Sequence, residues 1–318
     1  MNNRALRRFP LSKLMDLKVD FAFKQLFGSE KNKHITIVFL NAVLQRTGRD
    51  TIKEVIFKSQ EVGGEHEDDK QSRLDILVQT QSGEHVNIEV QLANQHDMLK
   101  RTMFYWSRIY TSQLQKGMGY HKLLPTITIN ICNFTVFEKN PAYHSTFHLY
   151  EDSIRERLDP EDDVLEVHFI EMNKFLAQWH REELNALDDI LARWLLLLGM
   201  VDARKQRVYD DIYRELEELA KMDKNLIAAF DAWEEISQSP ETKYAYESRL
   251  KFILDEEAKL DDVREMSRRE GIEQGIQKGI EEGVKNVARK MIAKGNSNED
   301  IMDVTELPEE VIKALRSE

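Results

Sequence analysis

The sequence contains little of what builds cross-linked or membrane-spanning proteins. Its 318 residues include one cysteine, Cys132, which excludes a disulfide framework and fits the reducing cytoplasm, where we expect the protein to reside. No apolar run approaches the roughly 18 residues of a membrane span, and the first residues lack the apolar segment of a signal peptide. The composition, with 41% hydrophobic and 32% charged residues, therefore indicates a globular protein without a membrane partner.

Acidic residues are absent from one window, residues 98–137, in a chain whose net charge is −12. That net charge argues against a polyanionic partner, but residues 1–137 hold 19 Lys and Arg against 14 Asp and Glu. The acid-free window contains five cations, interleaved with aromatic residues: Lys100, Arg101, Arg108, Lys116 and Lys122. The pattern is typical of a phosphate-facing surface. An ordinary helix with solvated cations and a buried aromatic stripe is the alternative.

The order of the predicted elements indicates an α/β fold. Apolar spacings of three and four residues predict helices at 16–27, 32–47 and 96–116. Runs of β-branched and aromatic residues predict strands at 52–62, 126–137 and 164–170. Residues 172–260 follow a helical pattern rich in Glu, Lys and Leu. We therefore predict a sheet covered by helices, followed by an α-helical C-terminal extension.

Two apolar runs near residue 80 each contain a carboxylate that a buried strand would normally avoid. A loop of residues 81–83, with Gly83 at a positive φ, would form a hairpin that places Asp75 opposite Glu89. Their Cβ atoms would then lie roughly 5 Å apart, where like charges repel unless a cation lies between them. A Mg²⁺ ion would resolve the conflict, because it prefers oxygen ligands and can activate a water beside a phosphate.

Strand alternation assigns the hairpin residues to two faces. The apolar face is predicted to contain Leu74, Ile76, Val78, Ile88 and Val90. The opposite face is predicted to contain Asp75, Leu77, Asn87, Glu89 and Gln91.

The segment LDILV…HVNIEVQ, with one aspartate, a hairpin and then Glu-x-Gln, resembles the core of PD-(D/E)XK nucleases. It is most similar to their recombination-promoting nuclease/putative transposase branch. Flanking segments resemble that branch in order and spacing: VDFAFKQLFG, RTMFYWSRIYTSQLQKGMGY, LLPTITINICNF and the glycine repeat at 271–283. The resemblance implies a restriction-endonuclease-like core, with a central mixed sheet flanked by helices. We predict this domain at 1–172, a helical domain at 173–262 and a tail at 263–318.

The resemblance also implies roles for the matching residues. Asp75 and Glu89 would bind Mg²⁺, or Mn²⁺ in its place, together with the carbonyl of Val90. Asp20 would complete the catalytic site through a metal-bound water. Gln91 stands where many relatives have a lysine that orients the attacking water.

Gln91 departs from that lysine because an amide carries no charge. It can hydrogen-bond a water but cannot offset phosphate charge, so either a cation comes from elsewhere or the reaction is slow. The candidates are Lys24, one turn beyond Asp20, and Arg101. Arg101 and Tyr105 would share one helix face and could meet the scissile phosphate. The alternative for this pair is an arginine at the sheet edge and a core tyrosine.

These observations predict a metal-dependent DNA endonuclease that hydrolyses phosphodiester bonds and takes part in recombination or mobile-element biology. The residues expected to bind DNA are Lys24, Lys100, Arg101, Tyr105, Arg108 and Lys116. The alternative is a catalytically weak or inactive protein that keeps the nuclease core for DNA binding or assembly.

Glycine recurs every four residues in the tail segment GIEQGIQKGIEEGVKN, between positions 271 and 283. An Ile or Val follows each glycine, which would place a bare backbone strip beside an apolar ridge along one helix. Such a surface would let two copies of the chain pack closely as a homo-oligomer. A flexible linker is the alternative, because each glycine destabilises a helix by roughly 1 kcal/mol relative to alanine.

The last residues have the spacing of a helix–turn–helix, with Pro308 suited to the first turn of the final helix. Glu309 and Glu310 stand at the end of that helix that would approach phosphates. We therefore predict packing or protein contact for this segment in preference to DNA reading.

Overall fold

A six-stranded mixed sheet forms the centre of the fold. The computed structural model describes residues 9–59, 61–62, 72–94, 97–159 and 163–317. Its strands are, in chain order, β1 (Val55–Phe57), β2 (Glu61–Val62), β3 (Ser72–Arg73), β4 (Ile76–Thr80), β5 (His85–Gln91), β6 (Thr126–Cys132), β7 (His144–Phe147), β8 (Leu165–Glu171), β9 (Val201–Asp202) and β10 (Arg207–Val208). The main sheet has the order β1-β4-β5-β6-β8-β7, and β2-β3 and β9-β10 form separate two-stranded ribbons.

Both strand orientations occur in the main sheet. β1, β4 and β5 are antiparallel neighbours, β5, β6 and β8 run parallel, and β7 returns antiparallel to β8. Parallel central strands are buried on both faces, and all seven residues of β6 are buried. The predicted strands at 126–137 and 164–170 correspond to β6 and β8. No pattern in the sequence predicted β7.

Helices cover the sheet and form the C-terminal region, as predicted. They are α1 (Asp20–Phe27), α2 (Lys33–Val43), α3 (Met98–Ser112), α4 (Met172–His180), α5 (Ile190–Gly199), α6 (Asp210–Ala220), α7 (Lys224–Gln238), α8 (Pro240–Ala293), α9 (Asn298–Thr305) and α10 (Glu309–Ser317). Within the described residues, no helix is long and apolar enough to cross a membrane.

The chain divides into two compact units, of which the first ends at Glu257 and the second begins at Ala258. In the first, a single hydrophobic cluster joins one face of the sheet to the helices that follow it. Phe39 lies between two other rings of this cluster, with its ring centroid 4.9 Å from that of Phe27 and 6.0 Å from that of Trp194. The division into a nuclease-like domain and a helical domain near residue 172 stays a prediction.

The second unit contains α8 from Ala258 onward, together with α9 and α10. Its core is a small cluster of Ala288, Ile301, Ile312 and Leu315. Ser297 caps α9 by accepting the Asp300 N–H, while the Asp300 carboxylate accepts the Ser297 N–H. The two short helices pack on each other because residues of both belong to this cluster. Helix α10 begins immediately after Pro308.

The predicted hairpin between β4 and β5 is confirmed. The Thr80 N–H donates to the Glu84 carbonyl at 3.0 Å, and Gly83 has a φ of +92°. Ile76 pairs with Ile88, so the residues one step further out, Asp75 and Glu89, lie opposite each other. A side chain at Gly83 would be strained by that φ and would also meet the Leu124 side chain.

One residue of the predicted apolar face lies elsewhere. Ile76 and Val78 pack in the main cluster, but Leu74 packs on the opposite side of the sheet with Leu77 and Ile109. The prediction for Leu74 was wrong because β4 begins only at Ile76. The chain bends at Asp75, so the two-residue alternation does not extend back to Leu74.

A buried ion pair connects the N-terminal segment to the helices that follow the sheet. Lys18 and Asp16 are almost fully buried, and the Lys18 ammonium lies 2.8 Å from the Asp16 carboxylate. The ammonium also donates to the carbonyls of Leu198 and Val201, and the second Asp16 oxygen accepts the Ala203 N–H at 2.9 Å. Every charge of the pair thus has hydrogen-bond partners, as a buried ion pair requires.

We predict that Lys18→Met destabilises the fold by about 3–5 kcal/mol, because it leaves the Asp16 carboxylate buried without its cation. Urea unfolding of the full chain measures this change. Lys31→Met is the matched control, since Lys31 forms an exposed pair with Glu235 and its loss should change stability by about 1 kcal/mol or less. Equal effects of the two substitutions would contradict the structural role of Lys18.

Candidate active site

Asp75 and Glu89 form a buried acidic pair where β4 and β5 meet. Their exposed fractions are 5% and 1%. One Asp75 oxygen accepts the Val90 N–H at 3.0 Å, and Glu89 Oε1 accepts the Asp75 N–H at 3.2 Å. Asn87 also donates to Glu89 Oε1, at 3.3 Å. The backbone of the hairpin therefore holds both carboxylates in place.

Two cations approach this pair from the helices on either side. Lys24 Nζ lies 2.8 Å from Asp75 Oδ1, and Arg101 Nη2 lies 3.7 Å from Glu89 Oε2. Lys24 belongs to α1 and Arg101 to α3. Both residues were the predicted sources of positive charge for a site that contains Gln91 instead of lysine, and both lie beside the acidic pair.

Asp20 forms an ion pair that no sequence pattern indicated. Arg249, on α8, donates from Nε to Asp20 at 2.9 Å, and its Nη2 lies 2.7 Å from the same carboxylate. The two residues are 229 positions apart, and Arg249 occurs in a charge-rich helix where an arginine is usually solvated. No local sequence signal distinguishes it.

Burial dominates the protonation of the acidic pair. It raises the pKa of Glu89 from its usual 4.5 to about 8, with further upward pressure from Asp75 and opposition from Arg101. Burial also raises the pKa of Asp75, against the lowering effect of the Lys24 ammonium. Burial thus favours the protonated form of both carboxylates, and a nearby positive charge would favour the ionised form.

The donor set suits a hard divalent cation. Glu89 Oε2 is buried and accepts no hydrogen bond from the described residues. The other possible metal-binding atoms of the pair are also carboxylate oxygens. No group of three His, Cys, Asp or Glu within the described ranges could hold a metal ion. Mg²⁺ requires fewer protein ligands than that, since it commonly takes one or two carboxylates and completes its shell with water and phosphate. The Asp75 and Glu89 carboxylates therefore fit such an ion, while the Val90 carbonyl stays a predicted ligand.

Gln91 is the last residue of β5 and lies two positions after Glu89, on the same face of the strand. It is partly exposed, and its carbonyl accepts the Asn133 N–H at 2.9 Å. Its side chain is thus directed to the face that carries Glu89. The predicted catalytic role of Gln91 stays a prediction.

A second buried polar residue lies beside Glu89 on the next strand. Asn130 of β6 pairs with Glu89 in the parallel register, accepts a hydrogen bond from Thr102 at 3.0 Å and donates to the His168 carbonyl. It fixes α3 to the sheet next to the acidic pair. No sequence signal singled out Asn130, because it follows Thr126 and Thr128 at alternate positions of the same strand.

The predicted DNA-binding residues of the acid-free window differ in their surroundings. Lys100 and Lys116 are exposed and Arg108 is partly exposed. Tyr105 is half-buried against Leu74, Leu77 and Ile109, with the Arg101 guanidinium 5.1 Å from its ring centre. Tyr105 therefore has a packing role, and the binding roles of these four residues stay predictions.

Two other aromatic residues of the window, Trp106 and Tyr110, have a structural role. Trp106 stacks on Tyr110 with ring centroids 5.0 Å apart, and its indole N–H donates to the Thr126 carbonyl at 3.1 Å. The predicted alternative of a buried aromatic stripe thus applies to this side of α3.

The fold and the buried acidic hairpin define a nuclease-fold protein. A family model described as PD-(D/E)XK nuclease family transposase matches residues 17–263, which include Asp20, both hairpin carboxylates and Arg249. The chain belongs to this family. No curated protein and no solved structure matched the chain.

We predict that Glu89→Gln stabilises the metal-free protein at about pH 8. Because folding raises the Glu89 pKa from 4.5 to about 8, the wild-type free energy of unfolding should fall as the pH rises through that interval. The amide does not titrate, so the variant should reduce this loss by something on the order of 2 kcal/mol. Urea unfolding in EDTA at several pH values measures the difference.

The exposed Glu54→Gln serves as control and should leave the pH dependence of stability unchanged. A Glu89→Gln curve parallel to the wild-type curve would show that Glu89 titrates normally and would contradict the prediction.

Proposed function

We propose that the protein is a metal-dependent DNA endonuclease. The observation that carries the proposal is the buried pair Asp75 and Glu89, held between cations on a hairpin of a nuclease-family sheet. Burial of two carboxylates without complete partners destabilises a fold, and a bound cation is a physical reason for such an arrangement.

The proposed metal ligands are Asp75, Glu89 and the Val90 carbonyl, and the proposed ion is Mg²⁺, or Mn²⁺ in its place. When bound, the ion would supply a Lewis acid that polarises the phosphate and lowers the pKa of a water. The support from the structure is the oxygen donor set and the buried Glu89 Oε2.

Protein groups would supply the remaining steps. Gln91 would hydrogen-bond and orient the attacking water, which an uncharged amide can do. Lys24 would supply the positive charge that Gln91 lacks, and Arg101 would donate hydrogen bonds to the scissile phosphate. Asp20, held by Arg249, would accept a hydrogen bond from a water at the edge of the site.

DNA would bind along the acid-free window, with Lys100, Arg108 and Lys116 contacting phosphates. A part in recombination or transposition is proposed from the family description, which names a transposase. We propose the cytoplasm as the location because Cys132 is an unpaired, buried thiol.

A catalytically weak DNA-binding protein is the second candidate function. It is favoured by Gln91, which carries no charge, and by Lys24, whose ammonium already contacts Asp75 Oδ1 at 2.8 Å. The Lys24 contact is still compatible with the endonuclease proposal. Each carboxylate oxygen has two lone pairs, so Asp75 can also bind another cation.

We further propose that α8 joins two copies of the chain. The glycine repeat is helical, and a Cβ added at Gly275 or Gly279 would meet no atom of the described residues within 4 Å. Ile272, Ile276 and Ile280 are each more than half exposed. Exposed isoleucines beside bare backbone form a surface that a second helix can approach closely.

The endonuclease proposal predicts metal-dependent cleavage. Supercoiled plasmid incubated with the full chain should be nicked in Mg²⁺ or Mn²⁺ but not in EDTA. Asp75→Ala and Glu89→Ala should lower the rate by at least about 100-fold, because each removes a proposed metal ligand. Glu54→Ala, an exposed acid outside the site, should cleave at the wild-type rate.

The same assay tests Gln91 and the second candidate function. Gln91→Ala should slow cleavage, whereas Gln91→Lys should keep or raise it. Metal-independent nicking, or nicking that survives Asp75→Ala and Glu89→Ala, would refute the endonuclease proposal. Tight DNA binding without cleavage would favour the second candidate.

The proposed role of α8 predicts the effect of glycine substitutions on assembly. Gly275→Leu combined with Gly279→Leu should make the full chain monomeric in light scattering, because the side chains block close helix contact. The isolated helix should become more stable, since leucine favours helix over glycine by roughly 0.8 kcal/mol per residue. Gln274→Leu combined with Lys278→Leu changes the same helix away from the glycine strip and should keep the wild-type oligomer. A monomeric wild type, or glycine variants that remain associated, would refute the proposal.

A further inference from the structure

Helix α3 exposes one phenylalanine beside the candidate site. Phe104 is 39% exposed, and it packs in none of the hydrophobic clusters formed by the described residues. Trp106 and Tyr110 on the same helix are instead stacked and partly buried. Packing of the protein core therefore does not explain an aromatic residue at position 104.

The surroundings of Phe104 are basic. Residues three and four positions apart are neighbours on a helix surface, so Phe104 is flanked by Lys100, Arg101, Ser107 and Arg108. Three of these four neighbours are cations, and no acidic residue occurs between positions 98 and 137. The ring thus lies beside three cationic side chains on its own helix, which phosphates could contact.

A short series of contacts connects this ring to the acidic pair. Arg101 Nη2 lies 3.7 Å from Glu89, and the Arg101 guanidinium lies 5.1 Å from the Tyr105 ring centre. The centroids of the Tyr105 and Phe104 rings are 6.0 Å apart. A nucleotide whose phosphate binds at Arg101 would therefore have Phe104 close to its base.

We propose that Phe104 stacks on an unpaired nucleotide base next to the scissile phosphate, and that the substrate is DNA containing unpaired nucleotides. The inference rests on the proposed nuclease function and specifies its substrate class. Every base has a π-face that an aromatic side chain can cover, but in a paired duplex those faces are already stacked. Single strands, flaps and internal loops present them.

A protein partner fits this surface less well. Docking an apolar protein surface on Phe104 would cover the exposed Lys100 ammonium, which is costly unless the protein partner supplies an acidic group. A nucleic acid supplies phosphates for the cations and a base for the ring.

The test measures binding of the full chain in EDTA by fluorescence anisotropy at several salt concentrations. The probes are a single strand, a duplex with an internal unpaired loop, and the fully paired duplex. The wild type should bind the first two more tightly. Phe104→Ala should weaken binding of these two by about 5- to 100-fold, the loss typical of one base–aromatic stack.

Two further readouts separate stacking from charge and from folding. Phe104→Ala should keep the salt dependence of binding, because phenylalanine neutralises no phosphate, whereas Arg108→Glu should reduce it for all three probes. An unpaired 2-aminopurine should be quenched on binding the wild type and Phe104→Tyr but not Phe104→Ala. Tyr244→Ala removes another exposed aromatic residue and should change none of these measurements.

The outcomes distinguish this inference from the proposed function. If no probe binds, DNA recognition itself is refuted and the inference falls with it. If DNA binds but Phe104→Ala affects all probes equally or none of them, the stacking role is refuted while the nuclease proposal stands.

Discussion

The burial of two like-charged carboxylates on paired strands is the constraint on which the arrangement around the site depends. Asp75 and Glu89 face each other because of the hairpin register, and burial raises the pKa of both. Each surrounding element supplies part of the compensation. Helix α1 brings Lys24, α3 brings Arg101, and the backbone of β5 donates the Val90 N–H. The helices must dock on the sheet for these charges to meet.

The chain contains a second buried charge cluster, which differs from the first in how completely its charges are paired. Asp16 and Lys18 have partners for both charges, from each other and from backbone groups of the helical region. Such a complete network holds elements together. The Asp75 and Glu89 pair is incomplete, because Glu89 Oε2 has no hydrogen bond from the described residues. An incomplete buried network costs stability and is therefore the better candidate for a binding site.

Strand alternation and loop length predicted the hairpin because both are local properties of the backbone. They failed at Leu74, where the chain bends before β4 begins. They also failed to predict β7, whose four residues are too few for a readable alternation. Only pairing with β8 defines that strand at the sheet edge.

The sequence by itself determined the acidic pair and its register, because carboxylates in apolar runs and the length of a hairpin loop can be read locally. Lys24 and Arg101 were predicted as neighbouring cations from the family resemblance. The tertiary structure alone decided that Arg249 binds Asp20, that Asn130 lies beside Glu89, and that Phe104 is exposed while Trp106 is packed. These contacts join residues far apart in the chain or select one side of a helix. They depend on how the helices pack against the sheet, which no local pattern of residues specifies.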